Sequence, residues 1–477
     1  MEPAPSSTVS RWLHGYVVSK MSRLNVPGLS LTVMRSGELV EQRAYGYRSL
    51  EKSLPATPDT VYEIASITKV FTAVAIMQLV EKGVLSLDDP ADKYLPIELR
   101  VKNEPVRIWH LLSHTSGIPA LGYAEALLSS YFAMSRTWLP YSDPRHVLEW
   151  LEKGARHWAI ASPGERFFYL NEGFVALGLI IERVSGLSYA DYVERYIVKP
   201  LGLQNTTARF EEAQRHPLLA TPYDSSQNPP KPMTLPSTIY ADGGIYSSST
   251  DLAKFMQALA NRGRLGDAEI LSKSSVEEME KPRAKLPTQL FGDDSYGLGT
   301  IIYSGFPAGK LVGHSGSVYV YTGYAGYIAD KGLSIGVLAN ADAAPRDIAM
   351  AVLAALGGAD PEQLPFIKAD KLLESLEGVY HGYMGTVKAR VERLGDNLVL
   401  EMIEPRGGKA VLEPAKPITE MPFDHPVFLL RSGGRVLEVE FRVDPVKGVE
   451  MIYERYRLVK VAPLEAVEPK RSTIVLW

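Results

Sequence analysis

The sequence predicts an α+β fold: an antiparallel sheet flanked by helices and carrying an all-helical subdomain, followed by a small antiparallel β-barrel. Three observations carry this. Leu29-x-Leu31-x-Val33 alternates as a half-buried strand, and strand-like runs return much later, around 299–304, 322–329 and 333–340. Between them, residues 86–215 read as mostly helical. Past Gly357-Gly358 and Pro361 the apolar period switches to two and stays there.

In order along the chain, residues 8–24 form a helix with Trp12, Leu13, Tyr16 and Met21 on one side, and Gly37-Glu38 turns a hairpin after the first strand. A helix beginning near Ser66 and ending at Gly83 carries Val70, Phe71, Val74, Ala75, Ile76, Met77, Leu79 and Val80. Apolar on every side, it is expected to be buried. Residues 118–145 are rich in aromatics (Tyr123, Tyr131, Phe132, Trp138, Tyr141) and read equally as a pocket wall or lid and as packing of the helical subdomain. Phe174 to Ile181 belongs to a helix closed by Gly186. The proline-rich stretch 217–236, with Pro229-Pro230, reads as a long ordered loop, and the last helix of the first domain spans about 345–356. That domain is expected over residues 1–360, with its helical subdomain at about 86–215. Val387-x-Ala389-x-Val391, Leu398-x-Leu400-x-Met402, Leu437-x-Val439-x-Phe441-x-Val443 and Val449-x-Met451-x-Tyr453 then alternate between turns at Gly395-Asp396-Asn397 and Gly433-Gly434. They predict the barrel domain, over residues 371–477.

Composition narrows the function. The 477 residues suffice for roughly three folding units, and 45% hydrophobic content supports a large core. A net charge of −4, with no basic stripe interleaved with aromatics, argues against a nucleic-acid partner. There are no cysteines, so disulfide and thiol chemistry are excluded. Met1 to Ser7 lacks a basic and then apolar signal-peptide pattern. No run approaches the roughly 20 apolar residues of a membrane span. A cytoplasmic protein without a membrane partner is expected. Low Asn and Gln content beside absent Cys fits a thermophile.

Ser66-Ile67-Thr68-Lys69 stands at the head of the buried helix. Residues three apart share a helix face, so the lysine amine can reach back to the serine hydroxyl. That hydroxyl attacks a carbonyl at neutral pH only if a base takes its proton. Burial disfavours an ammonium, so Lys69 is expected to be at least partly available as that base. The helix N-terminus favours the negative charge that develops near Ser66. Ser49-Leu50-Glu51-Lys52 has the same spacing but lies in a polar turn before Pro55 and reads as surface. Taken alone, the Ser66 pattern reads equally as an N-cap serine followed by an ordinary lysine. Two later motifs shift the balance: Tyr169-Leu170-Asn171, after Ser162-Pro163-Gly164-Glu165, and His314-Ser315-Gly316-Ser317.

With these three motifs in order, the chain resembles the penicillin-recognising serine hydrolases: class C β-lactamases, D-alanyl-D-alanine carboxypeptidases, D-aminopeptidases and related esterases. The likeness extends to Leu111-Leu112-Ser113-His114-Thr115-Ser116-Gly117-Ile118-Pro119, Pro200-Leu201-Gly202-Leu203, Gly243-Gly244-Ile245-Tyr246-Ser247-Ser248 and Asp251-Leu252-Ala253-Lys254-Phe255. It covers roughly residues 10–355. The resemblance implies a serine β-lactamase-like fold and a Ser-Lys-Tyr catalytic centre. Ser66 would be acylated, with Lys69 and Tyr169 sharing proton transfer; which of the two is the acylation base stays open. Asn171 would orient Lys69 and donate to the substrate amide. His314, Ser315, Gly316 and Ser317 would line the substrate as a strand edge, and the backbone N–H groups of Ser66 and Ser317 would form the oxyanion hole. Glycine at 316 is expected to let substrate backbone approach that edge. Many β-lactamases carry lysine where this chain has His314, which is only weakly cationic at neutral pH and more typical of the peptidases.

The implied activity is that of a serine peptidase or amidohydrolase working through an acyl-enzyme on small peptides, including ones with D-residues. A carboxylesterase or β-lactamase on the same machinery is the alternative within the class. A penicillin-binding sensor or structural oligomer is the alternative outside it. Small peptides, amides or esters are the expected substrates, with no cofactor. The C-terminal strands resemble the lipocalin-like appendage of archaeal self-compartmentalising serine peptidases. Thr473-Ile474-Val475-Leu476-Trp477 is expected to dock on this domain or a neighbouring subunit, and a homo-oligomer through residues 371–477 is expected. Two other motifs fail. Gly313-His314-Ser315-Gly316-Ser317 lacks the second glycine of a nucleophile elbow. His110 and His114 have zinc-helix spacing, but Leu111 replaces the glutamate base and no third ligand is suggested. No metal is therefore expected, and His114 is read as organising the turn at Ser116-Gly117.

Overall fold

Leu29, Leu31 and Val33 alternate with Ser30 and Thr32, the pattern of a strand with one wet face, yet all five are buried. In the computed structural model, which describes residues 7–131, 143–235, 239–404 and 407–464, the strand holding them lies inside the sheet. The sheet comprises β1 (Gly28–Arg35), β2 (Glu38–Ser49), β3 (Leu54–Pro55), β4 (Ala284–Lys285), β5 (Asp294–Tyr296), β6 (Ile301–Tyr303), β7 (Leu311–Ser317), β8 (Thr322–Ile328) and β9 (Leu333–Ala339). Their order is β4-β5-β6-β7-β8-β9-β1-β2-β3, and every pairing is antiparallel. The polar residues of β1 tolerate burial because they are paired. Ser30 donates to the Thr57 carbonyl at 2.8 Å and Thr32 Oγ1 lies 2.9 Å from Ser249 Oγ. Ser36 and Gly37 both take positive φ, 53° and 94°, which gives the β1–β2 hairpin a turn whose twist matches its strands.

The principal helices of this unit, beside several shorter ones, are α1 (Ser7–Arg23), α2 (Thr68–Glu81), α3 (Ile108–Leu112), α4 (Tyr123–Tyr131), α5 (His146–His157), α6 (Asn171–Ser185), α7 (Ser249–Ala260) and α8 (Pro345–Gly357). Both α7 and α8 pack on β8 and β9. Twelve residues of α2, Thr68 to Leu79, are buried, and Phe71 stacks on Phe255 of α7 at 3.8 Å between ring centroids. The predicted helical subdomain holds α3 to α6 and a two-residue ribbon, Arg100–Val101 with Glu104–Pro105. The predicted loop over 217–236 also contains a ribbon, Tyr223–Asp224 paired with Lys231–Pro232. Of the aromatic stretch, Tyr123 packs with Ala124, Val147 and Val175. Phe132, Trp138 and Tyr141 lie outside the described residues, as do Thr473 to Trp477.

The chain divides into two units, Met1–Ala359 and Asp360–Trp477. The second opens with α9 (Pro365–Leu376) and continues as β10 (Gly378–His381), β11 (Lys388–Leu394), β12 (Asn397–Glu404), β13 (Gly408–Pro414), β14 (Val427–Ser432), β15 (Arg435–Asp444), β16 (Gly448–Tyr453) and β17 (Tyr456–Ala462). These strands form a closed antiparallel barrel in sequence order, sealed where β10 pairs with β17. The period-two residues Ala389, Val391, Leu398, Leu400, Val439, Phe441 and Met451 fill its interior. The expected start at residue 371 falls inside α9. That helix belongs to the barrel because Ala369, Leu372, Leu373 and Leu376 join its core, and Asp370 pairs with Arg393 at 2.6 Å.

Candidate active site

The nucleophile candidate is reached through a strained corner. A short strand, Val61–Glu63, pairs with Tyr246–Ser248, and Ala65 then takes a φ of 48°, a left-handed conformation costing an alanine about 1–2 kcal/mol. Ser66 follows in a single 3-10 turn, Ala65–Ile67, that runs directly into α2. Ala65 and Ile67 are buried while Ser66 is only half-buried, so the corner presents this hydroxyl and hides its neighbours.

Lys69 is fully buried. Its Nζ lies 3.0 Å from Ser66 Oγ, 2.8 Å from Asn171 Oδ1 and 2.6 Å from the Asp242 carbonyl. It also stands over the rings of Tyr169 at 4.9 Å and Phe174 at 5.5 Å. The amide and carbonyl oxygens only accept, whereas Ser66 Oγ can donate or accept. A proton can therefore pass between Oγ and Nζ with the other two hydrogen bonds of the lysine unchanged. Asn171 is the first residue of α6, and engaging its Oδ1 leaves the amide nitrogen as the end that can donate to a ligand.

Tyr169 is held by His114. The Phe168 N–H donates to the His114 carbonyl at 2.8 Å, and the Leu170 N–H donates to His114 Nδ1 at 2.9 Å. The His114 ring lies against the Tyr169 ring with centroids 4.1 Å apart. This corrects the expectation that His114 serves the turn at Ser116-Gly117, where the Ile118 N–H donates to Ser116 Oγ instead. His110 accepts the Arg107 N–H at 2.9 Å, so the two histidines are engaged separately. Among the described residues no cluster of His, Cys, Asp and Glu could hold a metal ion.

The third motif lies on β7. β6 pairs with β7 only as far as Gly313, while β8 pairs with it through Ser317, so among the described residues one edge of 314–317 carries no strand. The Val318 N–H donates to the Tyr321 carbonyl. By the two-residue period of a strand, the N–H of Ser317 points to the open edge. His314 is different: its residue is 3% exposed and its ring nitrogens are engaged within the protein. Nδ1 faces the Ser315 carbonyl at 2.6 Å and must donate, so Nε2 accepts from the Tyr296 hydroxyl at 2.9 Å. Burial and the Lys69 charge push this histidine down to about 3, so its ring is neutral at neutral pH. At this place the backbone, and not the imidazole, is available to a ligand.

Gly316 is required by the fold itself. A Cβ there would stand 2.1 Å from the Ile64 carbonyl oxygen, so the glycine admits the segment leading to Ser66. Two buried carboxyls adjoin the centre. Burial pushes Glu172, whose Oε1 accepts the Tyr123 N–H at 3.1 Å, up to about 7. Burial likewise raises Asp242, against the pull of the Lys69 charge. The Asp242 carbonyl, Phe174 and Tyr296 were not legible as site residues, because no local spacing links them to Ser66.

The family profile described as Beta-lactamase matches residues 13–359, the unit that holds this whole constellation. The chain belongs to the beta-lactamase family. A second profile, the Pab87 octamerisation domain, matches residues 361–459, downstream of the beta-lactamase-family unit. The octameric penicillin-binding protein homologue from Pyrococcus abyssi is 43% identical, over 94% of this chain and 100% of that one, with a TM-score of 0.87. A D-stereospecific amidohydrolase from Streptomyces is 28% identical, over 71% of this chain and 95% of that one, with a TM-score of 0.56. Penicillin-binding protein 4* of Bacillus subtilis is 28% identical over 394 residues, 77% of this chain and 82% of its own.

Proposed function

We propose that the protein is a serine peptidase or amidohydrolase acting through an acyl-enzyme on small peptides, including ones with D-residues. The observation that carries this is the 3.0 Å contact between Ser66 Oγ and the fully buried Lys69 amine. Ser66 is the nucleophile, and its proton passes to the Lys69–Tyr169 pair as Oγ bonds to the substrate carbonyl carbon. The oxyanion so formed accepts from the N–H groups of Ser66 and Ser317. The same pair returns the proton to the leaving amine as the C–N bond breaks, and water then hydrolyses the acyl-serine. Asn171 holds Lys69 through Oδ1 and donates to the substrate amide. The neutral His314 offers no cation to a substrate carboxylate, which disfavours β-lactams and favours amides without a carboxylate beside the scissile bond. The likeness to a D-stereospecific amidohydrolase supports the D-residue component.

We also propose a homo-oligomer assembled through the C-terminal unit. Its support is the match to the Pab87 octamerisation domain and the likeness to an octameric homologue.

The test is covalent labelling by a serine-directed phosphonate, combined with turnover of matched L-peptide, D-peptide, ester and β-lactam substrates. Wild-type protein labels at Ser66 and Ser66→Ala does not label. Stoichiometric labelling of Ser66→Ala at another serine removes Ser66 as the nucleophile. A burst without turnover on every substrate replaces the enzyme with a penicillin-binding sensor, and preference for the ester or β-lactam replaces the peptidase.

A further inference from the structure

We propose that His114 is the positioning residue for Tyr169, holding the tyrosine at both flanking peptides and against its ring face. The inference rests on the reading that Tyr169 shares proton transfer with Lys69.

One residue supplies both main-chain anchors. The Phe168 N–H binds the His114 carbonyl and the Leu170 N–H binds His114 Nδ1, so Tyr169 hangs between two hydrogen bonds to the same histidine. The imidazole then covers the tyrosine ring at 4.1 Å with 33° between planes. Replacing the imidazole leaves the main-chain bond to Phe168 but removes the Leu170 anchor and the ring contact, which would free the phenol to rotate and the Leu170 side of its backbone to shift. An active-site group displaced by an ångström is enough to slow catalysis sharply.

The position is costly to maintain. His114 has a φ of 57°, a conformation few non-glycine residues adopt. Its Nδ1 accepts a hydrogen bond, so the ring proton sits on Nε2, and that buried nitrogen has no hydrogen-bond partner among the described residues. Backbone strain and an unpaired buried donor in one residue are characteristic of functional positions.

The requirements select histidine. Asparagine tolerates the left-handed backbone and offers an acceptor in place of Nδ1, but has no ring face. Phenylalanine has the face but no acceptor. Histidine supplies the acceptor, the face and the backbone tolerance together. Phe174 at 5.1 Å, Tyr296 at 4.8 Å and Phe167 at 5.8 Å wall the ring in. Burial, with the charge of Lys69, holds His114 well below its ordinary value, which keeps Nδ1 an acceptor at neutral pH.

The experiment is a double-mutant cycle on a chromogenic peptide amide. His114→Phe and His114→Asn are each made in the wild-type and in the Tyr169→Phe background, and kcat and KM are read separately. In the wild-type background His114→Phe is expected to lower kcat about a hundredfold while KM changes little. His114→Asn, which keeps the acceptor, is expected to retain part of that loss in kcat. In the Tyr169→Phe background neither substitution is expected to lower kcat further. Equal fold-losses in both backgrounds overturn the proposal while leaving the role of Tyr169 intact, as does a loss confined to KM. Wild-type turnover by Tyr169→Phe sinks the proton-transfer reading and this inference with it. If His114→Phe does not fold, the same non-additivity is read from His114→Asn.

Discussion

Gly316 and Ile64 meet backbone to backbone: a Cβ on residue 316 would stand 2.1 Å from the Ile64 carbonyl oxygen. Ile64 is two residues before Ser66, and the intervening Ala65 has a φ of 48°. The open edge of β7 and the corner that presents the nucleophile are therefore one mechanical unit. A methyl group at 316 must push the two apart.

Gly316→Ala is accordingly expected to slow phosphonate labelling of Ser66 at least about tenfold and to destabilise the first unit by about 1–3 kcal/mol, the usual penalty of overpacking. Labelling rates and urea unfolding midpoints check this. A wild-type labelling rate would show that the contact does not set the placement of Ser66.

Lys69 and Tyr169 are expected to act as one unit. Tyr169→Phe lowers turnover by about two orders of magnitude or more with the fold intact, and Lys69→Met is at least as damaging. Because losses in such units do not add, the double variant is little worse than Lys69→Met alone. Steady-state kinetics, with circular dichroism as the control for folding, decide it. Full activity in either single variant takes that residue out of the mechanism.

Acid is expected to weaken the fold through His314. The folded protein keeps this imidazole neutral down to about 3, whereas the unfolded chain protonates it near 6.5. Between those values the unfolded state binds the extra proton. Stability contributed by His314 is thus complete above 6.5 and falls with decreasing pH by up to about 1.4 kcal/mol per unit. Glu172, raised to about 7, has the opposite sign: its share is present below 4.5 and is lost as pH rises toward 7. It is common to wild type and His314→Gln, so the difference between the two isolates His314. Urea unfolding at a series of pH values is expected to show the shallower slope in His314→Gln, and equal slopes would sink the assignment.

A chain stopped after Ala359 is expected to run as a smaller particle while Ser66 still takes up phosphonate. The assembly role is assigned to the C-terminal unit, and the nucleophile and its partners lie in the first. Light scattering and labelling measure the two halves. A full-length protein that is already monomeric at micromolar concentration would defeat the assembly proposal.

What could be read from the sequence is what short spacing controls. Ser66 and Lys69 sit three residues apart on a helix whose apolar content demands burial, so their contact follows from helical geometry. Ala389, Val391, Leu398 and Leu400 alternate because a strand alternates, and the barrel follows from repeating that pattern. Other features depended on which surfaces meet across long stretches of chain. Alternation in β1 predicts one wet face, but covering both faces of the sheet buried Ser30 and Thr32 and paired them with partners elsewhere. The histidine of the third motif was legible, yet only packing turned its ring to Tyr296 and left the backbone at the edge. Likewise, nothing local to residue 114 indicates that its imidazole meets Leu170, 56 positions away. Local dihedral preferences and periodicity determined the helices, the strands and the serine–lysine pair. Long-range packing decided which buried polar groups complete the site, because such groups are tolerable only where the fold brings them a partner.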